Sequence, residues 1–344
     1  MNQQSVEKIA DAILYEGYML YPYRASAIKN RQRFNFGVLA PPAYSQAQLG
    51  SENFQMQTQC LISGEENVSV DIKIRFLQLR EREIYRGDAI SGSTRVESLE
   101  VGGMVYQSWQ EALEREVDIT KIDLGALAGK PRRVEFSFPE NVESETLLDA
   151  NRKTAGSIIR KQNVIHGTAD ITAELLEKGL FKLTVCVSNS TRFENASEKS
   201  RDDALASSLV SAHTIIRGNK GIFISLLEPP AEYIEAAASC QNQATFPVLV
   251  GEEGEHNMML SSPIILYDYP EIAAESAGEL FDGTEIDEIL TLRIMTMTDA
   301  EKQEMRSVDE RARKILERTE TMAPEEFMKL HGVLRRPRAL VKEA

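Results

Sequence analysis

For 72 consecutive positions, residues 221–292, the sequence has no lysine and no arginine, although the chain of 344 residues carries 39 of them. The same stretch holds 14 of the 53 acidic residues, so the formal net charge of -14 arises there and the remainder balances. Other absences narrow the class. No apolar run approaches the ~20 residues that a membrane helix needs. The first turns carry Glu7, Asp11 and Glu16 where a signal peptide would be apolar, which points to the cytoplasm. Cysteines number three and lie far apart, at 60, 186 and 240, which fits reduced thiols better than a disulfide framework or a zinc site. The Asn-x-Ser/Thr sequons at Asn67, Asn189 and Asn195 are then without consequence. No Gly-x-Ser-x-Gly elbow, Walker loop or Gly-x-Gly-x-x-Gly fingerprint is present, so nucleotide-dependent and serine-hydrolase chemistry lack a signature.

What is present mirrors the gap. Residues 17–51 contain Arg24, Lys29, Arg31 and Arg33 and no acid. Two complementary segments fit either each other or an outside partner. The internal reading expects Arg24 and Arg31 to pair with carboxylates of 221–292. Nucleic acid is a poor partner for the basic-aromatic stretch 21–36, because a chain of pI about 5.0 repels a polyanion at range.

Apolar periodicity sets the architecture. Val6, Ile9, Ala10 and Ile13 recur at helical spacing and Gly17 can stop the helix. Phe34, Phe36 and Val38 alternate before Pro41 and Pro42, and the alternating runs 54–62 and 68–79 flank a turn-like SGEEN and are expected to form a hairpin. A second hairpin joins 164–176 to 180–187 through a Gly-containing turn, and strands are expected at 133–138, 210–216 and 221–226. Beyond residue 230 come a short helix at 231–239, short buried strands at 246–250 and 263–267, and then helices. A capping box at Thr284 precedes a stripe of Ile286, Ile289, Leu290, Ile294 and Met297. Another at Thr298 precedes Met305, Val308, Ala312, Ile315 and Leu316, and a short third helix from Pro324 ends near His331. The expected fold is α+β: a mainly antiparallel, sandwich-like β core with an N-terminal helix and a C-terminal helical segment. Its parts are a helix and basic-aromatic arm (1–50), a β-rich core (51–226), an acidic α/β segment packed on it (227–297), and helices with a basic tail (298–344).

Five short runs, LYPYRAS at 20–26, LEPP at 227–230, FPVLVG at 246–251, SSPIIL at 261–266 and DGTEIDEIL at 282–290, resemble an uncharacterised bacterial family associated with nickel-iron hydrogenase gene neighbourhoods. The resemblance spans residues 6 to about 331. It implies a cytoplasmic accessory, maturation or structural role beside that enzyme, and it carries no catalytic residues over.

Candidate sites follow from charge. The partner-binding set comprises Tyr21, Tyr23, Arg24, Lys29, Arg31 and Arg33 from the arm and Asp282, Glu285, Asp287 and Glu288 from the acidic segment. Glu252, Glu253, Glu255 and His256, with Asp268, Asp282, Glu285 and Asp287 able to approach them, would suit a divalent metal ion in a hydrolase or metal-handling protein, although their spacing matches no named motif. Cys60 and Cys186 read as buried strand thiols, and Cys240, in a turn-like loop, as the one to test for reactivity. His166, His213 and His331 read as structural. The function expected is non-catalytic and without a cofactor: an acidic face receives a basic protein, which the resemblance implies is a hydrogenase subunit or maturation factor, with no role for nucleic acid or membrane.

Overall fold

A strand that is apolar on one face must bury it against something, and here two antiparallel sheets cover one another. The structure is a computed structural model that describes residues 3–18, 23–24, 30, 33, 36–64, 67–87, 92–177, 179–272, 280, 287–308, 310–323, 327 and 330. The first half contains α1 (Gln3–Tyr15), α2 (Pro42–Ala47), β1 (Gln55–Ser63), β2 (Ser69–Arg86), β3 (Thr94–Val96), β4 (Ser98–Val101), β5 (Met104–Gln107), β6 (Trp109–Asp123), α3 (Leu124–Leu127), β7 (Arg132–Phe138), β8 (Asn141–Leu148) and β9 (Thr154–Gln162). Then follow β10 (Ile165–Glu177), β11 (Leu180–Asn189), α4 (Arg201–Leu205), β12 (Val210–Asn219), β13 (Ile222–Ile224), α5 (Ile234–Ala238), β14 (Phe246–Leu249) and β15 (Met258–Ser262). Three helices end the described chain: α6 (Asp287–Met295), α7 (Asp299–Val308) and α8 (Glu310–Thr321). Among the described residues no helix is long and apolar enough to cross a membrane.

One sheet has the order β13-β1-β11-β10-β7; the other has eight strands, with β14-β15-β12-β2-β9-β8 in line and β3 and β6 also bonded to β2. β2 organises the second sheet. Along one edge its residues 69–77 bond β12 and 80–86 bond β9; along the other, 69–82 bond β6 and 84–86 bond β3. The predicted alternation of Val70, Ile72, Ile74 and Phe76 is the inner face, buried against Met56, Cys60, Ile62, Leu183, Val185 and Val187 of the opposite sheet. Each such side chain contributes about 1.5–3 kcal/mol by leaving water. From Ile74 to Leu79 burial is continuous because the outer face is covered too: Leu77 and Leu79 lie under Leu290, Ile294, Met305, Val308, Ile315 and Leu316. On the same outer face α1 buries Val6, Ile9, Ala10 and Ile13 against Ile215, Val248 and Leu260, and Gly17, at φ 75, follows it.

Beyond the sandwich the far end of β2 carries a small second cluster, Ile84, Leu99, Val101, Leu147 and Ile158. Arginines tie it to the helices. Glu111 receives Arg80 at 2.7 Å and both Arg82 and Arg160 at 3.3 Å, and Arg82 also donates to the Val308 carbonyl at 2.6 Å, at the end of α7. A carbonyl at a helix C-terminus has no partner within the helix, so this guanidinium fixes where α7 stops.

Several sequence expectations need correction. The stretches 54–62 and 68–79 do not form a hairpin: β1 bonds β11 and β13, and β2 belongs to the other sheet, so SGEEN crosses between layers. Both strands still bury one face each, which is why alternation alone could not tell the two arrangements apart. Residues 263–267 are not a buried strand but an extended strap with Ile264 and Leu266 turned in and Ile265 and Tyr267 turned out. Phe36 is exposed and Val38 buried, with a single bridge from the adjacent Leu39 to Leu209, and Phe34 lies outside the described residues. Ile289 is exposed while Leu290, Ile294 and Met297 are buried. The helix after Thr298 is two helices. Lys302 and Arg306 of α7 both reach Glu320 of α8, at 3.2 and 2.6 Å, whereas a continuous helix would hold residues 306 and 320 about 21 Å apart. The capping box at Thr298 forms with Glu301, and the predicted stripe is buried on both sides of the break. Within the acidic segment, β14 and β15 belong to the eight-stranded sheet. The capping box at Thr284 and the course of the third helix, including His331, lie outside the described residues.

Candidate functional site

The cation-free segment is gathered by one carboxylate. Asp268 accepts from Ser225 Oγ at 2.6 Å and from the Leu249 amide at 2.7 Å, joining loops 43 and 19 residues away. Its neighbour Tyr269 donates its amide to Leu249 O and its hydroxyl to Glu255 O. The Phe223 amide donates to His256 O at 2.7 Å, and His256 Nδ1 lies 3.1 Å from Phe223 O, which requires the ring proton on Nδ1. Buried backbone at the rim of the sandwich is satisfied in this way.

What the gathered loops present outward is apolar and acidic. Tyr267 is 86% exposed, Ile265 76% and Leu227 51%, and Ile222, Ile234 and Phe246 are also exposed. Glu228, Glu252 and Glu253 are exposed in the same loops. With no Lys or Arg in the segment, its carboxylates reinforce one another over the ~8 Å reach of charge at physiological salt. Large apolar side chains left exposed in a segment with such charges mark candidates for contact with something else.

No family model and no curated protein matches the chain. The site is therefore read from its own residues.

The structure separates the residues nominated from sequence. Among the described residues Arg24 pairs with Glu301 at 3.2 Å and Glu304 at 3.9 Å, both at α7, while five carboxylates of the acidic segment, at 275, 279, 282, 285 and 287, lie outside the described side chains. Tyr23 is buried and does reach the acidic segment, donating to the Leu280 carbonyl at 2.6 Å. Arg33 is buried, donating to Tyr18 O and Gln110 O with its guanidinium 3.9 Å above the Trp109 ring. Burial and these bonds place Tyr23 and Arg33 inside the molecule. Tyr21, Lys29, Arg31, Asp282 and Glu285 lie outside the described residues; Asp287 opens α6 and Glu288 follows it, half-buried.

Of the residues nominated as metal ligands, Asp282, Glu285 and the Asp287 side chain lie outside the described residues. Glu252 and Glu253 point outward, Glu255 accepts the Glu252 amide at 3.2 Å, and both Asp268 oxygens are engaged by Ser225 and Leu249. Among the described residues no three His, Cys, Asp or Glu side chains converge as metal ligands.

Cysteine chemistry also differs from expectation. Burial pushes the Cys240 thiol up, and its Sγ donates to Ala236 O at 3.8 Å, so the loop thiol singled out for testing is held as a neutral donor. Cys60 is fully buried and raised further. Cys186 is half-buried beside Ser188, not enclosed, and burial raises it as well. Of the histidines, His166 is exposed on β10. His213 is completely buried, Nδ1 2.9 Å from Ser211 O, and burial pushes it down to about 4.

Composition had marked the acidic stretch. It had not marked Leu227, Ile265 and Tyr267, whose one sequence trace is that they sit among acids with no cation near.

Proposed function

We propose that this chain is a non-catalytic binding or assembly protein whose acidic, apolar-studded surface around Asp268 receives a basic protein partner. One observation carries the reading. Leu227 and Tyr267 protrude from the two loops that the Ser225–Asp268 bond joins, with exposed Glu228, Glu252 and Glu253 in the adjoining loops and no cation in the segment. The carboxylates steer a basic surface toward the site, and the protruding side chains supply apolar area once it arrives. The resemblance of the sequence suggests a nickel-iron hydrogenase subunit or maturation factor as the partner, in the cytoplasm.

Titrating the protein with purified hydrogenase subunits at low and high salt tests this. Association should slow as salt rises, and Leu227→Ser combined with Tyr267→Ser should remove binding while leaving stability within about 0.5 kcal/mol. Binding that ignores salt, or that survives the double substitution, would count against the reading.

A further inference from the structure

β6 runs for 15 residues and is bonded only along the edge facing β2. Every second residue of an antiparallel strand turns its N–H and C=O away from its partner. Among the described residues, nothing occupies the outward backbone groups of 111–119; the nearest satisfied one is Gln110 O, which accepts from Arg33. At the other end the edge is closed by a bulge, where Lys121 takes a φ of 56 and its amide is turned onto Asp71. β8, at the opposite margin of the sheet, is half as long, and its Glu143 and Glu145 already engage Arg80 and Arg160. A bare edge of this length is a template for another strand.

The side chains beside the edge select the occupant. On the outer face Glu114, Glu116 and Asp118 also pair with cations, Arg75, Arg311 and Lys73, yet remain 45%, 41% and 61% exposed. With Glu7, Asp11 and Asp71 they line a cavity of about 530 Å³ between α1 and the sheet, where six carboxylates meet three cations, Lys73, Arg75 and Arg217. The inner face of the same strand offers Val117 and Ile119, paired with Ile74 and Ile72. A second copy of β6 laid antiparallel would set Glu114, Glu116 and Asp118 against one another, and like charges directly opposite are unfavourable.

We propose that residues 111–119 of β6 are a docking edge for an extended segment of a partner protein in which Lys or Arg alternates with apolar residues. The incoming backbone completes the ladder, its cations lie beside the carboxylates of the cavity, and its apolar side chains extend the inner face. This edge is distinct from the surface around Asp268.

Amide hydrogen exchange on the full-length protein tests it, with a blocked peptide of alternating Lys and Val as probe and the same peptide carrying Glu for Lys as control. At about ten times its Kd the Lys peptide should slow exchange within 111–119 about tenfold, and the Glu peptide should not. Asp118→Lys should abolish the effect; among the described residues the 61% exposed Asp118 side chain pairs with Lys73 alone, at 4.0 Å, so the fold is spared. The Leu227→Ser and Tyr267→Ser protein should keep the effect, which separates this edge from the other surface. Three results would overturn the proposal: no protection at 111–119, equal protection by both peptides, or protection that grows with protein concentration alone, which would mean self-pairing.

Discussion

His213 sits directly across from Arg75 on neighbouring strands, fully enclosed, with its ring proton committed to the Ser211 carbonyl. An unfolded imidazole titrates near 6.5, whereas burial holds this one down to about 4. Between those values the unfolded chain binds the extra proton and the folded one does not. The contribution is therefore complete above pH 6.5 and drains away as the pH falls toward 4, the whole gap being worth up to about 3 kcal/mol. Urea unfolding of the protein and of His213→Gln should show a steeper loss for the natural residue across that window; parallel curves would mean that folding does not shift the titration of His213. The cysteines give a second residue-scale outcome. A thiol reagent at neutral pH should leave Cys60 unmodified and label Cys186 and Cys240 more slowly than a free peptide cysteine, because burial raises all three. Labelling of Cys60 as fast as the other two would show that the core opens locally.

The break between α7 and α8 turns what looked like one amphipathic helix into a hairpin closed over the sheet, and Leu316 lies wholly inside it. Leu316→Asp should lower stability by more than about 3 kcal/mol, read as a fall in thermal midpoint by circular dichroism, since an unpaired carboxylate would be buried there. A folded variant that merely fails to associate would mean that something other than this chain covers the face. Elements were legible where period and punctuation agreed: β10 and β11 alternate cleanly around Gly179, and α1 shows its stripe and its glycine stop. They were hidden where salt bridges replace apolar contacts. β6, for which the sequence suggested no element, keeps its outer face with Glu114, Glu116 and Asp118 answering Arg75 and Lys73, so it lacks the apolar alternation that marks a strand. The candidate site was half legible in the same sense: its charge is local in sequence, but Ser225 and Asp268 stand 43 residues apart, and only folding joins the loops that carry Leu227 and Tyr267.

Seen whole, the molecule is sealed at its outer face by its first residues. α1 covers the β12, β14 and β15 region, and Tyr15, Tyr18 and Tyr23 enter the same cluster as the C-terminal helices, with Arg24 pairing onto α7. Removing residues 1–33 would uncover both clusters at once. The thermal midpoint should drop by well over the 4 °C that about 1–2 kcal/mol would move a chain of this size. An unchanged midpoint would show that the arm is an accessory to the fold and not part of it.

β2 also sets a clock. Its residues 69–77 find β6 soon after synthesis, but the strand that covers their other edge, β12, begins only at Val210. At the usual 5–20 residues per second of translation, that edge stays bare on the ribosome for roughly 6–25 s. The nascent β2–β6 pair is then the species a chaperone meets. A translational pause placed just before codon 210 should lower the soluble yield, and the same pause placed after codon 262, once β15 has emerged, should leave it unchanged.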